Sequence, residues 1–117
     1  MTFMTRFLGP AMKNRHSEGN RSAIINMTSY YSSSPAANVP LYSSSKGYVD
    51  TLSKCLWYEN NSDMDILTVK NMPTKCERYP LGVDPKDTVQ GVLLDLGQER
   101  ISYGHYTHSL FRKWIQF

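Results

Sequence analysis

Two short runs, Ala23-Ile24-Ile25-Asn26-Met27 and Asp65-Ile66-Leu67-Thr68-Val69, stand on either side of a stretch that reads as a loop followed by one long helix. The first run is mainly apolar, of strand length, and bounded by polar residues. Its lack of clean alternation suits a strand buried on both faces, as in a parallel sheet. The second is rich in β-branched residues and reads as another strand. Between them, residues 28–40 are rich in Ser, Pro and Asn and form a loop by composition. Residues 41–60 contain no proline and one glycine, and Val49, Leu52 and Leu56 fall on one helical stripe. That predicts a helix of about five turns, ended by the polar turn residues Asn60-Asn61-Ser62. Strand, loop, long helix and strand in this order make a βαβ unit, which builds parallel sheets.

The flanks extend the same plan. Phe3, Phe7, Leu8, Ala11 and Met12 recur at three- and four-residue spacings, so residues 2–14 read as the back end of an amphipathic helix. Pro10 would kink it unless a new first turn starts there. Residues 15–22 are polar, with Gly19-Asn20 as the turn signal. After Pro73 the chain is irregular until Asp84-Pro85, an N-cap followed by proline at the first helical position. Val89, Val92, Leu93 and Leu96 then mark a helix that stops at Gly97. Residues 100–103 predict a short strand, and residues 106–117 a short helix. No internal repeat is visible.

A chain of 117 residues makes one domain at most, burying roughly two thirds of its unfolded surface. The net charge of +3 is spread over 13 basic and 10 acidic residues without a Lys/Arg run, which argues against nucleic-acid binding. Cys55 and Cys76 have neither metal-ligand nor disulfide-framework spacing, and read as reduced thiols of an intracellular protein. No apolar run approaches the length of a membrane span. Asn20, Asn26 and Asn60 open glycosylation sequons that carry little weight without a signal peptide, and Asn26 lies in a strand with no room for a glycan.

The chemistry-bearing group is Tyr42-Ser43-Ser44-Ser45-Lys46. Near the start of a helix, positions i and i+4 share a face, so phenol and ammonium point the same way. A neighbouring cation favours phenolate over phenol, which makes such a tyrosine a usable general acid or base near neutral pH. The spacing alone is weak, since eight tyrosines and seven lysines give about half a chance match. Context decides. Thirteen residues before Tyr42, Ser29 follows the first strand directly, at the carboxyl end where open α/β sheets bind ligands. A hydroxyl there can donate to a carbonyl oxygen on which negative charge develops.

Taken together, Ile24-Ile25-Asn26-Met27-Thr28-Ser29, Pro35 and Tyr42-Ser43-Ser44-Ser45-Lys46-Gly47-Tyr48-Val49-Asp50 resemble the signature of the short-chain dehydrogenase/reductase family. The resemblance covers nearly all of the chain. It implies an α/β fold: the C-terminal, catalytic half of a Rossmann-like doubly wound parallel sheet, with residues 1–117 as one partial domain and the N-terminal nucleotide-binding strands missing. It implies that Ser29 polarises a carbonyl, that Tyr42 is the proton donor, and that Lys46 tunes Tyr42 and holds the nicotinamide ribose. Asn26 matches an asparagine that is structural in the family. Met4-Thr5-Arg6, Pro10-Ala11-Met12, Leu94-Asp95-Leu96-Gly97 and Tyr103-Gly104-His105 are similar to the branch of 17β-hydroxysteroid dehydrogenases and very-long-chain 3-oxoacyl-CoA reductases.

The resemblance therefore implies an oxidoreductase that uses NADP(H) or NAD(H) on a lipid-like carbonyl or alcohol. The branch adds an expected endoplasmic-reticulum location, and a homodimer is compatible with it. Tyr30 and Tyr31, in the loop after Ser29, are the candidate pocket residues; Tyr48 and Trp57 are expected to pack. Two departures stand out. Lys70-Asn71-Met72-Pro73-Thr74-Lys75 lacks the family's Pro-Gly, leaving Thr74 as the candidate for its cofactor-contacting threonine. No two of the seven glycines have the spacing of a pyrophosphate-binding turn. A second reading follows from this: a truncated, non-catalytic fragment or paralogue that acts, if at all, as a binding protein. On either reading an isolated half-sheet is expected to be marginally folded and prone to aggregate. His105 and His108 lack a third ligand and read as ordinary polar positions, and no metal site is expected. Asp50 and Glu59, on opposite sides of the long helix, are both expected to be solvated.

Overall fold

The computed structural model describes residues 2–71 and 82–108. Four helical segments and three strands follow in order: α1 (Thr2–Ser17), β1 (Ser22–Ser29), a 3₁₀ turn (Tyr30–Ser32), α2 (Pro40–Asn60), β2 (Met64–Asn71), α3 (Pro85–Asp95) and β3 (Ile101–Ser102). The strands lie in the order β1-β2-β3 and all pairings are parallel. β1 and β2 pair without a bulge from Ser22↔Met64 to Ser29↔Asn71. The expected βαβ unit is therefore the observed one, and its third strand is the one expected near residues 100–103.

Because side chains alternate along a strand, residues paired in register share a face. Ile24, Asn26 and Thr28 stand beside Ile66, Thr68 and Lys70, and Asn26 and Lys70 reach α2. The other face carries Ile25 and Met27 beside Leu67 and Val69. Leu67 and Val69 are fully buried against Val92 of α3, with Leu96 alongside. Helix α3 covers β2 and β3 but not β1, so Ile25 remains 38% and Met27 51% exposed. This corrects the expectation that β1 is buried on both faces. Among the described residues it is an edge strand, covered only on the α2 side.

Helix α1 runs to Ser17, three residues beyond its expected end, with Pro10 inside it and none of its residues buried. Its apolar side chains Phe3 and Phe7 point into solvent rather than onto the sheet. It is tied down by polar contacts, Lys13 to Asp63 at 3.6 Å and Thr2 to the Tyr48 hydroxyl. Tyr48, expected to pack, is thus exposed and hydrogen-bonded. A cavity of about 540 Å³ lies between α1, α2 and the sheet, with Ile24, Leu52, Leu56 and Ile66 among its lining residues.

Helix α3 starts as its sequence predicts. Asp84 accepts the Lys86 amide at 2.8 Å and Pro85 occupies the first turn. Its packing against the end of β3 is backbone to backbone: a Cβ on Gly91 would fall 1.7 Å from the Gly104 carbonyl oxygen. Gly104 itself has φ +71°, a conformation that disfavours any side chain. The tail expected as a helix over residues 106–117 lies mostly outside the described residues. No helix among those described is long and apolar enough to cross a membrane.

Candidate functional site

Ser29 is the last residue of β1 and is buried at the carboxyl end of the sheet. Its backbone is still extended (φ −147°, ψ 159°), and its Oγ accepts the Tyr31 amide at 3.3 Å, capping the 3₁₀ turn. A serine hydroxyl has two lone pairs and one proton. The cap uses a lone pair, so the O–H proton stays available to a ligand. The turn is closed by Ser32 Oγ donating to the Ser29 carbonyl at 2.7 Å and by the Ser33 amide donating to Tyr30 O at 3.0 Å.

Helix α2 opens at Pro40, a residue preset for a first turn. This puts Tyr42 in its first turn, also at the carboxyl end, with its side chain 46% exposed. One turn on, the Lys46 Nζ lies 5.7 Å from the centre of the Tyr42 ring, within cation–π range. The same ammonium donates to the Met27 carbonyl at 3.1 Å, tying α2 to β1 two residues before Ser29. From the turn, the Tyr31 ring meets the Tyr42 ring edge-on at 6.3 Å, and Tyr30 meets Tyr31 at 6.5 Å.

The shared face of Tyr42 and Lys46 is thus observed, and Tyr31 joins them. Ser29 is linked to the same group through the turn it caps. Thr74 lies outside the described residues. The 540 Å³ cavity is lined by none of Ser29, Tyr42 and Lys46; it belongs to the loose packing of α1. Trp57 and Tyr58 are elsewhere, under the Arg100 guanidinium. His105 bonds Thr107 and His108 bonds the Tyr103 carbonyl, and no group of three potential metal ligands occurs among the described residues.

One charged cluster was not expected. Asp50, read from the sequence as solvated, is 5% exposed, and Lys70 on β2 is 6% exposed. Asp50 Oδ2 accepts Lys54 Nζ at 2.9 Å and Lys70 Nζ at 3.2 Å, and Lys70 also donates to Ser33 Oγ. Burial pushes the Asp50 carboxyl up, but the hydrogen bonds and charges of Lys54 and Lys70 outweigh it and hold the group below the usual carboxylate range. Glu59, on the opposite side of α2, is exposed as expected. The sequence does carry a signal for the cluster: Lys54 sits at i+4 from Asp50. Lys70 also follows directly on the Ile66–Val69 run, where a solvated charge has no place.

The sequence matches no protein-family model and no curated protein. Among solved structures, the fold is similar to that of a 7β-hydroxysteroid dehydrogenase, with a TM-score of 0.73 at 17% sequence identity. The match covers 97% of this chain and 48% of the other, so the chain spans about half the length of the structure it resembles. An identity this low establishes fold and nothing finer. The fold is a Rossmann-like α/β arrangement with a parallel sheet, as the sequence motifs led us to expect.

Proposed function

We propose that this chain supplies the catalytic side of a nicotinamide-dependent oxidoreductase that interconverts a carbonyl and an alcohol. The observation that carries the reading is the Tyr42 phenol, half-exposed at the carboxyl end of the sheet with the Lys46 ammonium one turn behind it. Ser29 donates its free O–H proton to the substrate oxygen and so favours negative charge there. Tyr42 gives that oxygen a proton in the reductive direction and takes one back in the oxidative direction. Lys46 stabilises the charge left on the phenol oxygen.

The residues fit one end of NADP(H) or NAD(H) only. Lys46, with Tyr42, would hold the nicotinamide ribose, and Thr74 is our candidate for a further contact; the chain has no glycine pair to cradle a pyrophosphate. When bound, the nicotinamide supplies or accepts the hydride. The substrate we propose is lipid-like, a 3-oxoacyl-CoA or a steroid. Its support is the Tyr30–Tyr31 wall beside Tyr42 and the motif resemblance to the hydroxysteroid and oxoacyl-CoA branch. The endoplasmic-reticulum location and a homodimer are proposed on the same resemblance.

The absent pyrophosphate turn favours a second reading, a non-catalytic fragment or paralogue that binds a partner. Two measurements separate them. In the full-length protein, Tyr42→Phe is expected to lower turnover at least about 100-fold, the range of general acid–base catalysis. Unchanged turnover would sink the catalytic reading. Tight NADPH binding by the chain would sink the second.

A further inference from the structure

Tyr42, Lys46, Asp50 and Lys54 stand four residues apart along α2 and share one stripe. Lys70 meets that stripe from β2 and is buried together with Asp50: its ammonium bridges Asp50 on α2 and Ser33 just beyond the 3₁₀ turn. The turn begins at Ser29 and carries Tyr31, whose ring touches Tyr42. Lys70 therefore holds the far end of a short segment whose near end is the candidate carbonyl-polarising serine. We propose that Lys70, seated on Asp50, is a positioning residue that sets Ser29 and Tyr31 against Tyr42. The proposal rests on the reading of Ser29, Tyr42 and Lys46 as a catalytic group.

Two features of the geometry support it. The first is that the turn packs on α2 through the Tyr31–Tyr42 ring contact, while its own hydrogen bonds stay within it. Its internal bonds, Ser29 Oγ to the Tyr31 amide and Ser32 Oγ to the Ser29 carbonyl, shape the turn without attaching it to α2. The Lys70 bridge adds a polar attachment, through an ammonium that is dry and so loses little of its strength to water. The second is the separation of Lys46 from the Asp50 cluster. Lys46 is one turn before Asp50, the spacing at which lysine and aspartate pair on a helix. Lys54 and Lys70 both take Asp50 Oδ2, whereas Lys46 donates to the Met27 carbonyl beside the Tyr42 ring, although Asp50 Oδ1 is buried without a hydrogen-bond partner. The buried pair thus anchors the turn, while Lys46 ties the same helix to β1.

The test separates the bridge from the ion pair. Ser33→Ala removes the bridge at an exposed turn residue and leaves Lys70 on Asp50. Lys70→Met combined with Asp50→Leu removes the pair without stranding a buried charge. Both are made in the full-length protein, with Ser33→Thr as the conservative control. The Tyr31 and Ser33 amides, bonded within the turn, are expected to exchange about tenfold faster in Ser33→Ala and in the double variant. Turnover is expected to fall about 10- to 100-fold with KM nearly unchanged, the signature of misplaced reacting groups, and Ser33→Thr is expected to restore it. Faster exchange with unchanged kcat makes the bridge merely structural and overturns the proposal. Unchanged exchange overturns it whatever the kinetics. If the parent protein turns over no better than Tyr42→Phe, the catalytic reading itself has failed, and the proposed role falls with it.

Discussion

The two layers flanking the sheet are held by different chemistry. On the α3 side, Leu67, Val69 and Val92 make a dry apolar contact with Leu96 at its edge. On the α2 side the buried groups are largely polar: Asn26 to Ser53 at 2.9 Å, and Lys70 to Asp50 at 3.2 Å. Apolar contact is strong and tolerant of small shifts, because it follows area rather than direction. A buried hydrogen bond adds little net stability but fixes position, since a misplaced polar group loses its partner and stays desolvated. The candidate site lies at the carboxyl end of the polar layer. The α3 contact is apolar, whereas on the α2 side the buried Met64 and Ile66 are outnumbered by polar groups that fix position.

The contrast breaks most sharply at Asp50. Asp50→Leu leaves the buried Lys70 ammonium without its carboxylate, and the expected loss is about 3–5 kcal/mol in chemical denaturation. The double variant with Lys70→Met is expected to recover most of that loss. If the double variant is as unstable as the single one, the α2 layer contributes stability in its own right and the contrast fails. A pH series sharpens the point. The folded-state pKa of Asp50 lies below its unfolded value, so its contribution is present above the unfolded pKa and is lost as pH falls through the folded one. The parent is expected to lose stability in that acid window, and the double variant to lose less.

A smaller effect is expected at the seam between β1 and α2. Asn26→Ala removes the bond to Ser53, but the Ser53 hydroxyl keeps its bond to the Val49 carbonyl at 2.6 Å. One partner therefore remains satisfied, and the expected cost is about 1–2 kcal/mol. A loss well above that range would give the seam more than a registering role.

The same division explains what the sequence made legible. The β–α–β order was readable because it is written in apolar runs and in the absence of proline over residues 41–60. Ser29, Tyr42 and Lys46 were readable because their spacing is local and a strand end can be located. The polar layer was only hinted at, by Lys54 at i+4 from Asp50 and by Lys70 at the end of an apolar run, because Asp50 and Lys70 are 20 residues apart and nothing local pairs them. Composition assigns charge to solvent, and only the approach of β2 to α2 gives each buried ion its partner. The open face of β1 escaped for a related reason. Ile25 and Met27 have the same residue types as a doubly buried strand, and what covers them is decided by α3, some 60 residues later in the chain.

That open side of β1 carries the smallest expected change in folding free energy and the most direct test of the comparison. Ile25 and Met27 lie in register with the buried Leu67 and Val69, yet no element among the described residues packs on them. Threonine keeps the strand preference while removing apolar surface. Ile25→Thr with Met27→Thr is therefore expected to change unfolding free energy by no more than about 0.5 kcal/mol per site, as for other exposed positions. The isolated 117-residue chain is expected to scatter less light at the same concentration, because an exposed apolar strand edge is a template for association. A cost of about 2 kcal/mol or more would mean that these side chains are buried in the folded species in solution. In that case the β1 face belongs with the apolar layer beside α3, covered by something that packs on it.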